Sequence, residues 1–102
     1  MSVKKQYFKT KPYCKVTFIV SKKVAGSARK VSVAGDFNQW SSERTPMKAL
    51  KSGDFKATLQ LAKGHEYQYR FVLDDSVWIT DECADKQIYC QFAHGNNGVV
   101  VI

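Results

Sequence analysis

The feature that most constrains this chain is a two-residue hydrophobic period that restarts after nearly every turn. In "CKVTFIV", Cys14, Val16, Phe18 and Val20 fall on one side and Lys15, Thr17 and Ile19 on the other. Successive side chains of an extended strand point to opposite faces, so this pattern belongs to a half-buried strand and cannot be matched to a helix. The same alternation carries Val31 and Val33 in "KVSVAG", Phe55, Ala57, Leu59 and Leu61 in "FKATLQL", and Tyr67, Tyr69, Phe71 and Leu73 in "EYQYRFVLD". Short strands are predicted at 77–80 and 98–102. Between them lie turn formers: "AGS" at 25–27, "GDFN" at 35–38, "SGD" at 52–54, "KGHE" at 63–66, "LDDS" at 73–76 and "HGNNG" at 94–98. No stretch longer than about ten residues carries a 3.6-residue period. The expectation is an all-β fold, an antiparallel two-sheet sandwich of about seven strands.

A chain of 102 residues suits one domain that buries roughly 60–70% of its unfolded surface. With 44% hydrophobic and 25% charged residues it has ordinary globular composition. Charge is distributed unevenly. Residues 1–30 hold nine of the sixteen basic residues and no acid, leaving seven basic against nine acidic residues in 31–102. Residues 1–11 therefore read as a mobile basic arm and 12–102 as the sandwich domain. No apolar run reaches the length of a membrane helix and the N-terminus lacks the apolar core of a signal peptide, so a cytoplasmic location is expected, with no membrane partner. Cys14, Cys83 and Cys90 are an odd number, which fits reduced thiols better than a disulfide framework.

Candidate chemistry begins on the strand "EYQYRFVL". If Tyr67, Tyr69, Phe71 and Leu73 face the core, then Glu66, Gln68, Arg70 and Val72 face away from it, and Gln68 and Arg70 become neighbouring hydrogen-bonding groups on an exposed surface. Alone, this is a solvated strand face. Two tryptophans change the weighing: Trp40 ends the polar turn "DFNQWSS", and Trp78 follows the turn that closes the Arg70 strand. Neither sits on an alternating apolar face. Each could cap the core, as large aromatics usually do. Each could equally present an indole to the C–H face of a sugar ring.

The ordered series "VSVAGDFNQW", "PM" at 46–47, "GDFKATLQLAKGHEYQYRFVLDD", "W" at 78 and "NNGVVVI" resembles the family 48 carbohydrate-binding module. That family comprises the glycogen-binding domain of the AMP-activated kinase β subunit and the N-terminal early-set domain of branching and debranching enzymes. The resemblance covers roughly residues 14–102. It implies an immunoglobulin-like sandwich that binds α-1,4-linked glucan such as glycogen or starch without catalysis and without a cofactor. It also implies that Trp40 and Trp78 stack on sugar, that Arg70, a lysine in many relatives, and Asn97 hydrogen-bond to it, and that Gln68 lies nearby. Asn96 would replace Asn97 if the register slipped. The family's Asp-Gly turn before the second tryptophan reads Asp74-Asp75-Ser76 here, its Asp-Pro reads Asp81-Glu82, and a sugar-cradling leucine and threonine fall on Ala93 and Gly95.

Other functions compete. Asp36, Asp74, Asp75, Asp81, Glu82, His65 and His94 are the catalytic candidates, but most lie in turns where such residues serve the backbone. Glycoside hydrolysis needs two spaced carboxylates across a cleft. Cys83, Cys90 and His94 match no common zinc spacing. The N-terminal "KKQYFKTKPYCK" mixes basic and aromatic residues as polyanion binders do, and also as protected edge strands do. Nucleic acid is not the expected partner. A third class is a protein-interaction subunit in which the sandwich serves a glycogen-metabolising enzyme or a kinase.

Overall fold

A computed structural model describes residues 3–91 and 95–102. In chain order the elements are β1 (Val3–Tyr7), β2 (Tyr13–Val20), a one-turn helix α1 (Lys22–Ala25), β3 (Val31–Gly35), a 3₁₀ turn (Asp36–Asn38), β4 (Lys48–Ala49), β5 (Phe55–Ala62), β6 (Glu66–Leu73), β7 (Val77–Ile79), β8 (Lys86–Cys90) and β9 (Gly95–Val101). One sheet runs β1-β2-β5-β4 and the other β3-β6-β9-β8, with β7 attached to β6. All these pairings are antiparallel. The fold is the expected immunoglobulin-like antiparallel β-sandwich, with nine strands among the described residues in place of about seven.

Three strands escaped the hydrophobic pattern for physical reasons. β1 occupies the segment expected to be a mobile arm, pairing with β2 from Val3↔Phe18 to Tyr7↔Cys14. Only Val3 of β1 is buried, so there is no apolar period to read. The Lys5 ammonium also reaches the Asp85 carboxylate at 2.6 Å, tying this strand to the facing sheet. β8 is an edge strand with no buried residue, and β4 is two residues long.

The predicted apolar series on β2 is buried, and it meets Val31, Val33, Tyr69, Phe71 and Val100 from the opposite sheet. Phe18 lies at the centre, with ring centroids 4.8 Å from Tyr69, 5.7 Å from Phe37 and 6.4 Å from Phe71. Aromatic clusters of this kind contribute about 0.5–1.5 kcal/mol per pair beyond burial. Tyr69 brings a polar group into this core and satisfies it by donating its hydroxyl to Asp81 Oδ2 at 2.6 Å. Burial first, and the neighbouring Asp81 carboxylate second, push the phenol far above its usual ionisation range.

The strand that organises the outer face is β6. β3 covers one of its edges from Val31↔Leu73 to Gly35↔Tyr69. The other edge is shared: β9 pairs with Glu66–Tyr69 and β7 with Phe71–Leu73. Arg70 lies at the junction, where pairing with β9 has stopped and pairing with β7 has not begun. This outer face was expected to be solvated, yet Arg70 is 8% exposed and Val72 1%. Neighbours account for the difference. Ala34 lies opposite Arg70, and Val72 is flanked by Ser32 on one side and Trp78 on the other. Side chains opposed across strands share a face and cover one another.

Candidate functional site

Trp40 is positioned by the turn that ends β3. Gly35 packs against β6 so closely that a Cβ there would lie 2.5 Å from the Gln68 carbonyl oxygen. The 3₁₀ turn then reverses the chain, and the buried Asn38 holds it. Asn38 Oδ1 accepts from Gly35 N at 3.0 Å, while Nδ2 donates to Val33 O and Thr45 Oγ1, each at 2.9 Å. Phe37 packs back onto the core, as expected of this turn. Gln39 and Trp40 follow with φ of 56° and 58°. Left-handed backbone in two successive non-glycine residues costs about 1–3 kcal/mol each and persists only where the surroundings over-determine it. Here the fixing bonds are Trp40 N to Gly35 O at 2.9 Å and the indole Nε1 to Asp36 Oδ1 at 3.0 Å. The second Asp36 oxygen accepts from Gln68 N at 2.8 Å. Asp36 thus clamps the Trp40 indole to β6, a role beyond the turn-forming one its Gly-Asp context suggested.

Trp78 is positioned by the β6–β7 hairpin. Asp74 and Asp75 have φ of 49° and 60°. Aspartate tolerates this region better than most residues, which explains how the chain makes this turn without a glycine. The Asp74 carboxylate accepts from the backbone N–H groups of Arg29 at 2.8 Å and Lys30 at 2.9 Å, docking the hairpin onto the segment that leads into β3. Those bonds, that from Lys30 first and that from Arg29 second, lower the Asp74 pKa. The Lys30 ammonium pairs with Asp75 at 2.9 Å, which raises the lysine pKa. On this anchored hairpin Trp78 sits opposite Val72 and remains 41% exposed.

The polar groups form a chain across the β6–β9 junction. The register pairs Tyr69 with Gly98, which turns Arg70 toward Asn97. Arg70 Nε donates to Asn97 Oδ1 at 2.7 Å, and Asn97 Nδ2 donates to Gln68 Oε1 at 3.0 Å. Both Arg70 and Asn97 are buried. Arg70 Nη2 is buried with no hydrogen-bond partner among the described residues.

A cavity of about 350 Å³ is lined by Trp40, Arg70, Trp78, Cys90 and Asn97. Four of the six predicted site residues therefore converge on one surface from β3's turn, β6, β7 and β9. Gln68 stands behind them as the support of Asn97. Asn96 is not brought to the cavity: strand alternation separates it from Asn97, and its side chain donates to Gln87 Oε1 at 3.1 Å. Sequence reading missed Cys90, whose pairing with Gly95 puts it at the cavity wall. No sequence signal marks it, because β8 has no apolar period to read. Cys14 lies in the core and Cys83 is exposed elsewhere. Ala93 and His94 lie outside the described residues. A larger cavity of about 490 Å³ lies along β3, between Arg29, Lys30, Glu43 and Asp75, and contains neither tryptophan.

Among the described residues, no group of three or more His, Cys, Asp and Glu side chains is gathered to hold a metal ion. No helix among them is long and apolar enough to cross a membrane. What the tryptophan cavity offers is two indole rings, a buried guanidinium and an amide. This is chemistry suited to a flat ligand with apolar faces and a polar rim.

A family model described as the glycogen recognition site of AMP-activated protein kinase matches residues 20–101. A 1,4-alpha-glucan branching enzyme GlgB of Bradyrhizobium diazoefficiens is 44% identical over 50 residues, covering 48% of this chain and 7% of the enzyme. A GlgB of Rhodopseudomonas palustris is 41% identical over 58 residues, covering 56% of this chain and 8% of the enzyme. The chain thus matches only a small part of each enzyme's length. With the family model spanning every residue that lines the cavity, the chain belongs to the family of carbohydrate-binding modules typified by the glycogen recognition site of AMP-activated protein kinase.

Proposed function

We propose that this protein is a non-catalytic module that binds α-1,4-linked glucan, of the glycogen or starch type, in the tryptophan cavity. The observation that carries the reading is convergence. Trp40, Arg70, Trp78 and Asn97, dispersed over 58 positions of sequence, line one cavity in a chain of a glycogen-recognition family. Trp40 and Trp78 supply stacking faces, Arg70 and Asn97 supply hydrogen bonds to hydroxyls, and Gln68 and Asp36 hold them in place. Stacking one sugar face on an indole removes roughly 50–100 Å² of apolar surface from water, contributing about 1–3 kcal/mol. Two such platforms, after ordering costs, give affinities of about millimolar to micromolar. Among the described residues, those lining the cavity include no carboxylate, whereas glycoside hydrolysis needs a pair of them.

The relatives that share part of this sequence are branching enzymes. In that setting the module would hold a glycogen-metabolising enzyme, or a kinase, on its polymer. The test is migration in native gels containing glycogen or amylose. Wild type should be retarded, and a variant with Trp40→Ala and Trp78→Ala should migrate as in glucan-free gels while keeping its β-sheet circular dichroism. Wild-type migration indifferent to glucan defeats the proposal.

A further inference from the structure

We infer that the cavity discriminates among α-glucans in favour of chains carrying a phosphomonoester on a glucose hydroxyl. The inference rests on the α-glucan reading above and narrows it. It comes from the way the hydrogen bonds around the cavity are already committed. Asn97 Oδ1 is engaged by Arg70 Nε and Asn97 Nδ2 by Gln68. The Trp40 indole N–H is engaged by Asp36, whose other oxygen is engaged by Gln68 N. What Arg70 has left is the Nη end of its guanidinium, positively charged and without an acceptor, where Nη2 is itself buried.

Among the described residues that charge has no counter-ion: none of their ion pairs includes Arg70, and none of those lining the cavity is acidic. Arg70 is nevertheless more than nine-tenths buried, and its Nη2 has no hydrogen-bond partner among the described residues. A buried charge is ordinarily paired, because leaving it alone forfeits hydration without return. A neutral hydroxyl can accept one hydrogen bond from the Nη edge but brings no opposing charge. A phosphate ester brings both an acceptor and an opposing charge to the guanidinium. Stacking on Trp40 and Trp78 is unaffected by the ester, so the sugar would still be held as proposed.

The test uses the full chain and a soluble malto-oligosaccharide phosphorylated on one glucose, compared by calorimetry with the same preparation after phosphatase treatment. The phosphorylated form should bind at least about tenfold more tightly at low salt, as a charge-assisted contact implies. The advantage should fall as ionic strength rises. Arg70→Gln should abolish it and Arg70→Lys, which keeps the charge, should retain it. Equal affinity of wild type for the two forms overturns this inference while leaving the α-glucan reading intact. A preference that persists in folded Arg70→Gln also overturns it, since the lysines of the N-terminal third would then be responsible. Failure of wild type to bind either form defeats both readings.

Discussion

Gly35 is the position where fold and site depend most sharply on a single atom. Replacing it with alanine adds a Cβ that meets the Gln68 carbonyl oxygen at 2.5 Å, Tyr69 Cβ at 2.8 Å and Phe37 Cε2 at 2.9 Å. The first of these is about an ångström inside normal contact, and it is a backbone atom that no rotamer change can move. The Gly35 φ of −170° is extended and acceptable to alanine, so the cost is steric. Overpacking of this kind costs about 1–3 kcal/mol, and the unyielding neighbour puts Gly35→Ala near the upper end. For a domain of this size each kcal/mol lowers Tm by about 4–8 °C, so a drop of roughly 10–20 °C is expected in thermal melts followed by circular dichroism. Separating β3 from β6 at Gly35↔Tyr69 also pulls Asp36 from Gln68, so glucan affinity should fall in parallel. Gly98→Ala is the comparison. Its Cβ would meet Ala84 Cβ at 3.1 Å, a contact that can relax, and its loss should be smaller. A Gly35→Ala protein melting within about 2 °C of wild type, a shift of less than 0.5 kcal/mol, would refute the steric reasoning.

Tyr69→Phe removes the hydroxyl that donates to Asp81 and should cost about 1–3 kcal/mol in denaturant unfolding. Because folding raises the Tyr69 pKa, the associated stability is full below the ordinary value of 10.0 and erodes as pH rises above it. Alkaline difference spectra should therefore show one tyrosine ionising only with unfolding, and Tyr69→Phe should remove that phase. Asp74 has a lowered pKa, so its contribution is present above 3.8 and disappears as pH falls through the folded value. Asp74→Asn, which retains tolerance of left-handed backbone, should be less stable than wild type at pH 7 and converge with it in acid melts. Asn97→Ala removes the acceptor of Arg70 Nε and should weaken glucan binding about tenfold, or about 1.4 kcal/mol, in calorimetric titrations.

The two-residue period was enough to place β2 and β6 and to assign their inner faces, because each strand packs a full apolar side against the opposing sheet. It could not reveal β1 or β8. Edge strands bury almost nothing, so their sequences carry lysine, glutamine and isolated hydrophobics without rhythm. The cavity is legible to the extent that Trp40, Arg70, Trp78 and Asn97 fall on positions of a family motif. Their support was not legible. Asp36 reads as an ordinary turn residue until it is seen to accept from both the Trp40 indole and the β6 backbone. The burial of Arg70 depends on β3, β7 and β9 together, so alternation along one strand made it look solvated. Asn97 and Asn96 are chemically identical, and only the β6–β9 register decides which one meets Arg70.

The chain contains two tryptophans, and both line the cavity, so selectively excited tryptophan fluorescence reports on this site. Titration with maltoheptaose should give wild type a saturable spectral change with a midpoint between about micromolar and millimolar, and each of Trp40→Phe and Trp78→Phe a smaller change with weaker affinity. Calorimetric binding of the glucan with both indole spectra unchanged, or no binding at millimolar sugar, would contradict glucan stacking on the two tryptophans.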